Sequence, residues 1–140
     1  MTTVRASIYI VDDDLSVRRG LARVIRSANL KVVAFASAND FFQSAYETGN
    51  SCLIVDAEFR GSSDLDMLTR LRKESINIPV IVVTAHDDSK TRKAAGDAGA
   101  IGYFRKPVDS EALLDAIRWA LASGRRSTEG RKRLMSRCKV

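Results

Sequence analysis

Five short apolar runs recur along the chain, and their spacing limits the possible folds more than any other feature. The runs are short, mostly β-branched and continuous rather than alternating, and they occupy 8–11, 32–35, 52–55, 80–83 and 100–104. Continuous runs are typical of strands in a parallel sheet, because helices cover both faces of such a sheet. The pattern therefore predicts five buried strands.

Segments with helical periodicity separate these runs. Between residues 15 and 28 the apolar side chains share one face of a helix, and Asp14 precedes it as a cap. Four more helices are predicted at 41–46 after Ser37, around Leu65, Leu68 and Leu71, at 90–98, and after a capping Asp109. Alternating strands and helices predict an α/β fold in which five helices flank a doubly wound, five-stranded parallel sheet.

The composition fits one domain with an ordinary core, since the chain has 140 residues of which 45% are hydrophobic. No apolar run is long enough to span a membrane and the N-terminus lacks the apolar region of a signal peptide, so we expect a cytoplasmic protein without membrane contact. Cys52 and Cys138 have neither metal-ligand spacing nor the density of a disulfide scaffold, which predicts free thiols.

The net charge of +6 is concentrated at the C-terminus. Residues 125–140 carry seven basic side chains and one acidic one, so the first 124 residues carry 16 of each sign. A folded core does not need such a segment. We therefore predict a domain at 1–124 followed by a basic tail or linker at 125–140.

Charged and polar side chains follow four of the five predicted strands. Asp12 and Asp13 follow the first, Asp56 the third, Thr84 the fourth and Lys106 the fifth. Ligands of doubly wound sheets bind outside the carboxyl ends of the strands. The sequence therefore predicts that these side chains share one site.

The acidic side chains of this site call for a cation. Two like charges about 4 Å apart repel by roughly 4 kcal/mol at an effective dielectric of 20, and carboxylate oxygens suit Mg²⁺. With Lys106 and Thr84 beside them, the carboxylates fit phosphoryl transfer to Asp56 as the nucleophile. The chain has no Gly-rich nucleotide-binding motif, so the phosphoryl group is expected from an external donor.

The chain resembles the receiver domain of two-component response regulators over residues of about 5 to 123. The resemblance is carried by an acidic pair after the first strand, one Asp after the third, Thr-Ala after the fourth, and Lys-Pro after the fifth with an aromatic residue three positions earlier. In this sequence these are Asp12, Asp13, Asp56, Thr84, Ala85, Tyr103, Lys106 and Pro107.

The resemblance implies a flavodoxin-like sheet in the order 2-1-3-4-5 and a cis peptide before Pro107. It implies Mg²⁺ held by Asp13, Asp56 and the backbone carbonyl of Glu58, with Asp12 acting through water. The phosphoryl donor would be a sensor histidine kinase or a histidine phosphotransfer protein. Such a domain is a regulatory phosphoacceptor rather than an enzyme acting on other molecules.

The resemblance also implies how the domain would signal. Thr84 is drawn to the phosphoryl group and Tyr103 moves inward, which alters a face built from the fourth helix, the fifth strand and the fifth helix. This face would bind a partner or a second copy of the chain. Trp119 lies off the apolar stripe of the last helix and is expected to be at least partly exposed on it.

Two positions depart from the family pattern after the phosphoacceptor. Arg60 and Asp64 stand where Pro and Gly are usual, so the loop between them is expected to take an altered path. Glu58 and His86 occupy positions that tune the lifetime of the phosphoryl group in the family. We assign His86 no catalytic role.

Two further interpretations remain open from the sequence. A haloacid-dehalogenase-like Mg²⁺ phosphatase would use Asp12 as its nucleophile, although it would leave Asp56 without a role. The output is equally open: the chain resembles receivers that precede helix-turn-helix domains, so it could contact DNA through a domain that these residues lack, or weakly through the basic tail.

Overall fold

Strands and helices alternate strictly along the chain in the computed structural model, which describes residues 5–57 and 64–124. The strands are β1 (Ser7–Val11), β2 (Lys31–Phe35), β3 (Ser51–Asp56), β4 (Val80–Thr84) and β5 (Gly102–Arg105). The helices are α1 (Leu15–Ser27), α2 (Ala38–Gln43), α3 (Asp64–Lys73), α4 (Ser89–Asp97) and α5 (Ser110–Gly124). All strand pairs are parallel and the order is β2-β1-β3-β4-β5, which confirms the predicted fold and topology.

Helices cover both faces of the sheet, which explains why the apolar runs are continuous. Ile8 and Ile10 of β1 face a core that includes α1 and α5. Tyr9 and Val11 alternate with them and face a second core that includes α2, α3 and α4. Both sets of side chains must be apolar, so the period of two is hidden in the sequence.

The prediction of five buried strands was wrong for the two edges of the sheet. The central strands β1, β3 and β4 are buried throughout, whereas β2 and β5 are partly exposed because each pairs with a single strand. The start of β5 was also predicted too early. The Ala100 N–H donates to the carbonyl of Ala95 in α4 at 3.0 Å, after a turn in which Gly99 has a φ of +94°.

Side-chain caps set the starts of most helices. Asp14 Oδ1 accepts from the N–H groups of Ser16 and Val17 at 2.8 and 3.3 Å, and Asp109 Oδ2 accepts from the N–H of Ala112 at 2.9 Å. Both predicted caps are confirmed. The helix predicted at 15–28 begins as predicted and ends one residue earlier, and the helix predicted at 90–98 lies one residue earlier at both ends.

The second helix was predicted in the wrong place. Ser37 Oγ accepts from the N–H of Asp40 at 3.1 Å, so α2 begins at Ala38 rather than at Phe41 and ends at Gln43. Tyr46 lies beyond it, where its ring stacks on that of Phe41 at 4.5 Å. The apolar residues at 41–46 therefore reflect an aromatic cluster rather than a helical face. The cluster comprises Tyr9, Phe35, Phe41, Phe42 and Tyr46.

Cys52 lies in the core as a free thiol, as expected. Burial raises its pKa to about 12, which keeps the sulfur protonated at neutral pH. Cys138 and the rest of the tail at 125–140 lie outside the described residues. Within the described part of the chain, none of the helices is long and apolar enough to cross a membrane.

Candidate functional site

The carboxylates predicted to meet at the edge of the sheet do so. One oxygen each of Asp12, Asp13 and Asp56 lies within 4.8 Å of the other two. Parallel pairing of β1 with β3 produces this proximity, since the register aligns Val11 with Val55 and both strands end at the same height. Asp12 and Asp56 are buried and Asp13 is exposed, so the cluster opens to solvent on one side.

Lys106 supplies the compensating charge from the segment after β5. Its Nζ lies 3.0 Å from Asp12 Oδ2 and 3.3 Å from Asp56 Oδ2. Burial alone lowers the pKa of Lys106, but the hydrogen bond to Asp12 and the charges of Asp12 and Asp56 outweigh it, so the pKa is raised. The Lys106–Pro107 peptide is cis, as the resemblance implied.

The remaining hydrogen bonds hold Asp12 in place. Its Oδ1 accepts from the N–H of Asp14 at 2.9 Å while its backbone carbonyl accepts from Arg18 Nη1 at 2.7 Å. Sequence reasoning missed Arg18. An arginine on the first turns of a helix is common on protein surfaces, so only the contact with the turn before α1 distinguishes it.

The donor set fits a hard divalent cation. Three carboxylates and one ammonium leave a net charge of −2, and Mg²⁺ is usually held by one or two carboxylates while its other positions go to water or phosphate oxygens. The exposed side of Asp13 leaves access for such water. The predicted carbonyl ligand of Glu58 and the altered position Arg60 lie outside the described residues, as does the side chain of Asp64.

Thr84 ends β4 beside this cluster and is 1% exposed. Its Oγ1 accepts from the N–H of His86 at 3.0 Å and donates to the carbonyl of the same residue at 3.2 Å. The hydroxyl is thus committed to the loop between β4 and α4. His86 enters the site through its backbone, and its side chain is exposed.

Tyr103 on β5 packs against the core that includes α4. Its hydroxyl oxygen is shielded from solvent and makes no hydrogen bond of acceptable geometry with any described residue. Burial and the negative charges of Asp87 and Asp88 raise the pKa of this hydroxyl. Both oxygens of Asp87 instead accept from Arg92, whose guanidinium lies 5.5 Å from the centroid of the Tyr103 ring.

We expect the substitution Tyr103→Phe to raise the free energy of unfolding by about 1 kcal/mol, because it removes a buried hydroxyl whose desolvation is not compensated. Tyr9→Phe is the matched control. The Tyr9 hydroxyl accepts from the N–H of Glu47 at 2.7 Å, so its loss is expected to lower stability by about 1 kcal/mol. Urea unfolding measures the change in the free energy of unfolding for both variants. A lower stability of both would contradict the claim that the Tyr103 hydroxyl has no hydrogen bond.

Trp119 on α5 is 44% exposed, which confirms the expected exposure. We call the face formed by α4, β5 and α5 the output face, and Trp119 is predicted to lie on it. Its role in binding a partner stays a prediction.

Comparisons with known proteins show which proteins this chain is similar to. A sequence profile of the response regulator receiver domain matches residues 8–118. Nodulation protein W of Bradyrhizobium diazoefficiens is 37% identical over 130 residues, which are 93% of this chain and 57% of that protein. The transcriptional regulatory protein FixJ of Azorhizobium caulinodans is 32% identical over 125 residues, 89% of this chain and 58% of that protein.

A solved structure shows the same likeness in three dimensions. The crystal structure of FixJ-N superposes with a TM-score of 0.77 at 31% identity, and the match covers 86% of this chain and 96% of that one. The chain spans a little over half the length of these curated relatives.

The haloacid-dehalogenase-like alternative was wrong. It left Asp56 without a role, whereas the structure joins Asp56 to Asp12 and Lys106, and the relatives are response regulators. The chain therefore belongs to the receiver domains of two-component response regulators.

Proposed function

We propose that Asp56 accepts a phosphoryl group from a phosphohistidine and that this modification controls the output face. The observation that carries the proposal is the joining of Asp56 to two acidic side chains and to Lys106 at one edge of the sheet. Three like charges are brought together there and Lys106 offsets only part of their repulsion, so the site is suited to a bound cation. An aspartyl nucleophile in such a site is suited to phosphoryl transfer.

In the proposed reaction an oxygen of Asp56 attacks the phosphorus atom. A P–O bond forms while the P–N bond breaks, and the leaving imidazole nitrogen keeps the electron pair. Lys106 stabilises the charge of a phosphoryl oxygen, and the Thr84 hydroxyl donates to another. Mg²⁺, when held by Asp12, Asp13, Asp56 and the carbonyl of Glu58, would neutralise the transferring oxygens.

The donor we propose is a sensor histidine kinase or a histidine phosphotransfer protein, which the receiver family implies. The domain would catalyse only its own phosphorylation and dephosphorylation. Because kinases of this class carry their phosphohistidine in the cytoplasm, we propose that the domain acts there.

The output we propose is transcriptional. One relative is itself called a transcriptional regulatory protein, and the chain spans only part of it. DNA would then be contacted through an output domain outside these 140 residues, or weakly by the basic tail at 125–140 that follows the domain at 1–124. Phosphorylation would act by favouring a homodimer or another partner at the output face, where Trp119 is exposed.

Mapping the phosphorylated side chain tests the proposal. The chain is incubated with acetyl phosphate and Mg²⁺, the acyl phosphate is reduced with borohydride, and the modified residue is identified by mass spectrometry. We expect modification of Asp56 that disappears when EDTA replaces Mg²⁺. Modification of Asp12, or labelling that is indifferent to Mg²⁺, would contradict the proposed site.

A further inference from the structure

The output face carries an ion pair that lies against the ring of Tyr103. Arg92 Nη2 on α4 donates to both oxygens of Asp87 at 2.8 and 2.7 Å, and the guanidinium faces the Tyr103 ring at 5.5 Å. The Asp87 side chain is 20% exposed and that of Arg92 is 63% exposed. We call the pair Asp87–Arg92 the latch.

The latch is connected to the phosphorylation site through one turn of backbone. The Thr84 hydroxyl makes two hydrogen bonds with the backbone of His86, and His86 directly precedes Asp87. A Thr84 hydroxyl that turned to a phosphoryl group on Asp56 would give up both bonds. The backbone that positions Asp87 would then lose its anchor at β4.

We propose that the latch restrains Tyr103 in the unphosphorylated domain, and that phosphorylation of Asp56 must open it before the output face changes. Asp87 and Arg92 act here as positioning residues, since neither touches the cluster of carboxylates. The inference rests on the proposed function. It adds that an electrostatic contact on the output face sets how readily the switch responds.

Thermodynamic linkage gives the direction in which loss of the latch changes the affinity for a phosphoryl mimic. A contact made only in the unswitched state lowers the affinity of any ligand that favours the switched one, so its removal raises that affinity. An ion pair of this exposure together with a guanidinium–ring contact corresponds to about a three- to tenfold change in such an equilibrium.

The test compares the wild-type chain with Arg92→Gln, Asp87→Asn and the double variant. Beryllofluoride with Mg²⁺ serves as the phosphoryl mimic, and its affinity is read from the amide NMR signals of Asp12 and Asp13. The ring signals of Tyr103 report the switch itself. Arg70→Gln is the matched control, because Arg70 also combines an ion pair, 2.6 Å from Glu74, with a ring contact, 3.9 Å from Phe42, but lies on α3.

We expect each single variant to bind the mimic about three- to tenfold more tightly, the double variant to match the singles, and Arg70→Gln to match the wild type. The differences should vanish near 1 M salt, where the screening length falls to about 3 Å. Unchanged or weaker binding in Arg92→Gln, or an equal gain in Arg70→Gln, would overturn the latch.

Failure of the proposed function has a different signature. In that case the mimic shifts the Asp12 and Asp13 signals in none of the proteins, the wild type included. The latch is then tested from NMR spectra recorded in the absence of the mimic. It is supported if Arg92→Gln alone alters the Tyr103 ring signals, and it is refuted if those signals stay at their wild-type positions.

Discussion

The substitution Asp56→Asn is expected to abolish phosphorylation and, in the absence of divalent cations, to make the folded domain more stable. The first effect follows because an amide oxygen is too weak a nucleophile to displace a phosphoryl group. The second follows from the electrostatics of the site, where Asp56 is buried near two other carboxylates. A residue that serves function at the expense of stability is typical of such sites.

The Coulomb and desolvation energies of Asp56 support a gain in stability in the Asp56→Asn variant. At an effective dielectric of 20, attraction across the 3.3 Å between Lys106 and Asp56 is about 5 kcal/mol. Repulsion from Asp12 at 4.8 Å or less is at least about 3.5 kcal/mol, and Asp13 adds a smaller amount because it is exposed. These Coulomb energies nearly cancel, so the desolvation of the buried carboxylate, several kcal/mol, decides the sign.

We therefore expect Asp56→Asn to raise the free energy of unfolding by about 1 to 2 kcal/mol in EDTA. Urea unfolding measures it, and adding Mg²⁺ should shrink or reverse the difference because only the wild type keeps all three carboxylates as ligands. The control Asp115→Asn removes an exposed carboxylate, which pairs with Arg118 on α5, and should change stability by less than about 0.5 kcal/mol. Equal stability of Asp56→Asn and the wild type in EDTA would contradict the electrostatic account.

Most of the fold could be predicted because its determinants are local. The β-branched runs, the capping Asp14 and the polar residues at the strand ends act over a few positions of sequence, and the structure contains all of them, although β5 begins later than predicted. The family resemblance added the strand order, which local patterns do not contain. Parallel neighbours such as β1 and β3 are joined through intervening elements, so their pairing is a property of the whole sheet.

The errors came where tertiary contacts overrode a local pattern. Residues 41–46 are rich in apolar side chains because Phe41 and Tyr46 belong to an aromatic cluster that draws on β1 and β2, whereas Ser37 alone decides where α2 starts. In the same way, residue 100 reads as the beginning of a strand, but its N–H completes the end of α4. Neither competition is visible in a single stretch of sequence.

The charged residues of the candidate site could be predicted from the sequence, but the contacts around them could not. Asp12, Asp56 and Lys106 stand out because each is a charged residue at the end of a predicted strand. Arg92 does not stand out, since an arginine on a polar helix has many possible partners. Its bond to Asp87 depends on how the loop between β4 and α4 folds back, and that path follows from the two hydrogen bonds between Thr84 and His86.

The substitution Lys106→Met is expected to have the opposite effect on stability from Asp56→Asn. It removes the ammonium that lies between Asp12 and Asp56 and leaves both carboxylates buried without that charge. Loss of one partner of a buried ion pair costs about 3 to 5 kcal/mol, a large part of the stability of a domain of this size. Methionine keeps most of the volume of the lysine stem, so the loss reports charge rather than packing.

A divalent cation should rescue this variant more than it stabilises the wild type. Without the ammonium the site has a net charge of −3 instead of −2, so Mg²⁺ meets a stronger field and no competing cation. Urea unfolding of Lys106→Met in EDTA and in millimolar Mg²⁺ measures both the stability lost on substitution and the stability that Mg²⁺ restores. The control Arg118→Met breaks an exposed pair of 3.3 Å on α5 and should cost less than about 1 kcal/mol with either additive. A loss in Lys106→Met that Mg²⁺ left unchanged would mean that the carboxylates do not form a cation site.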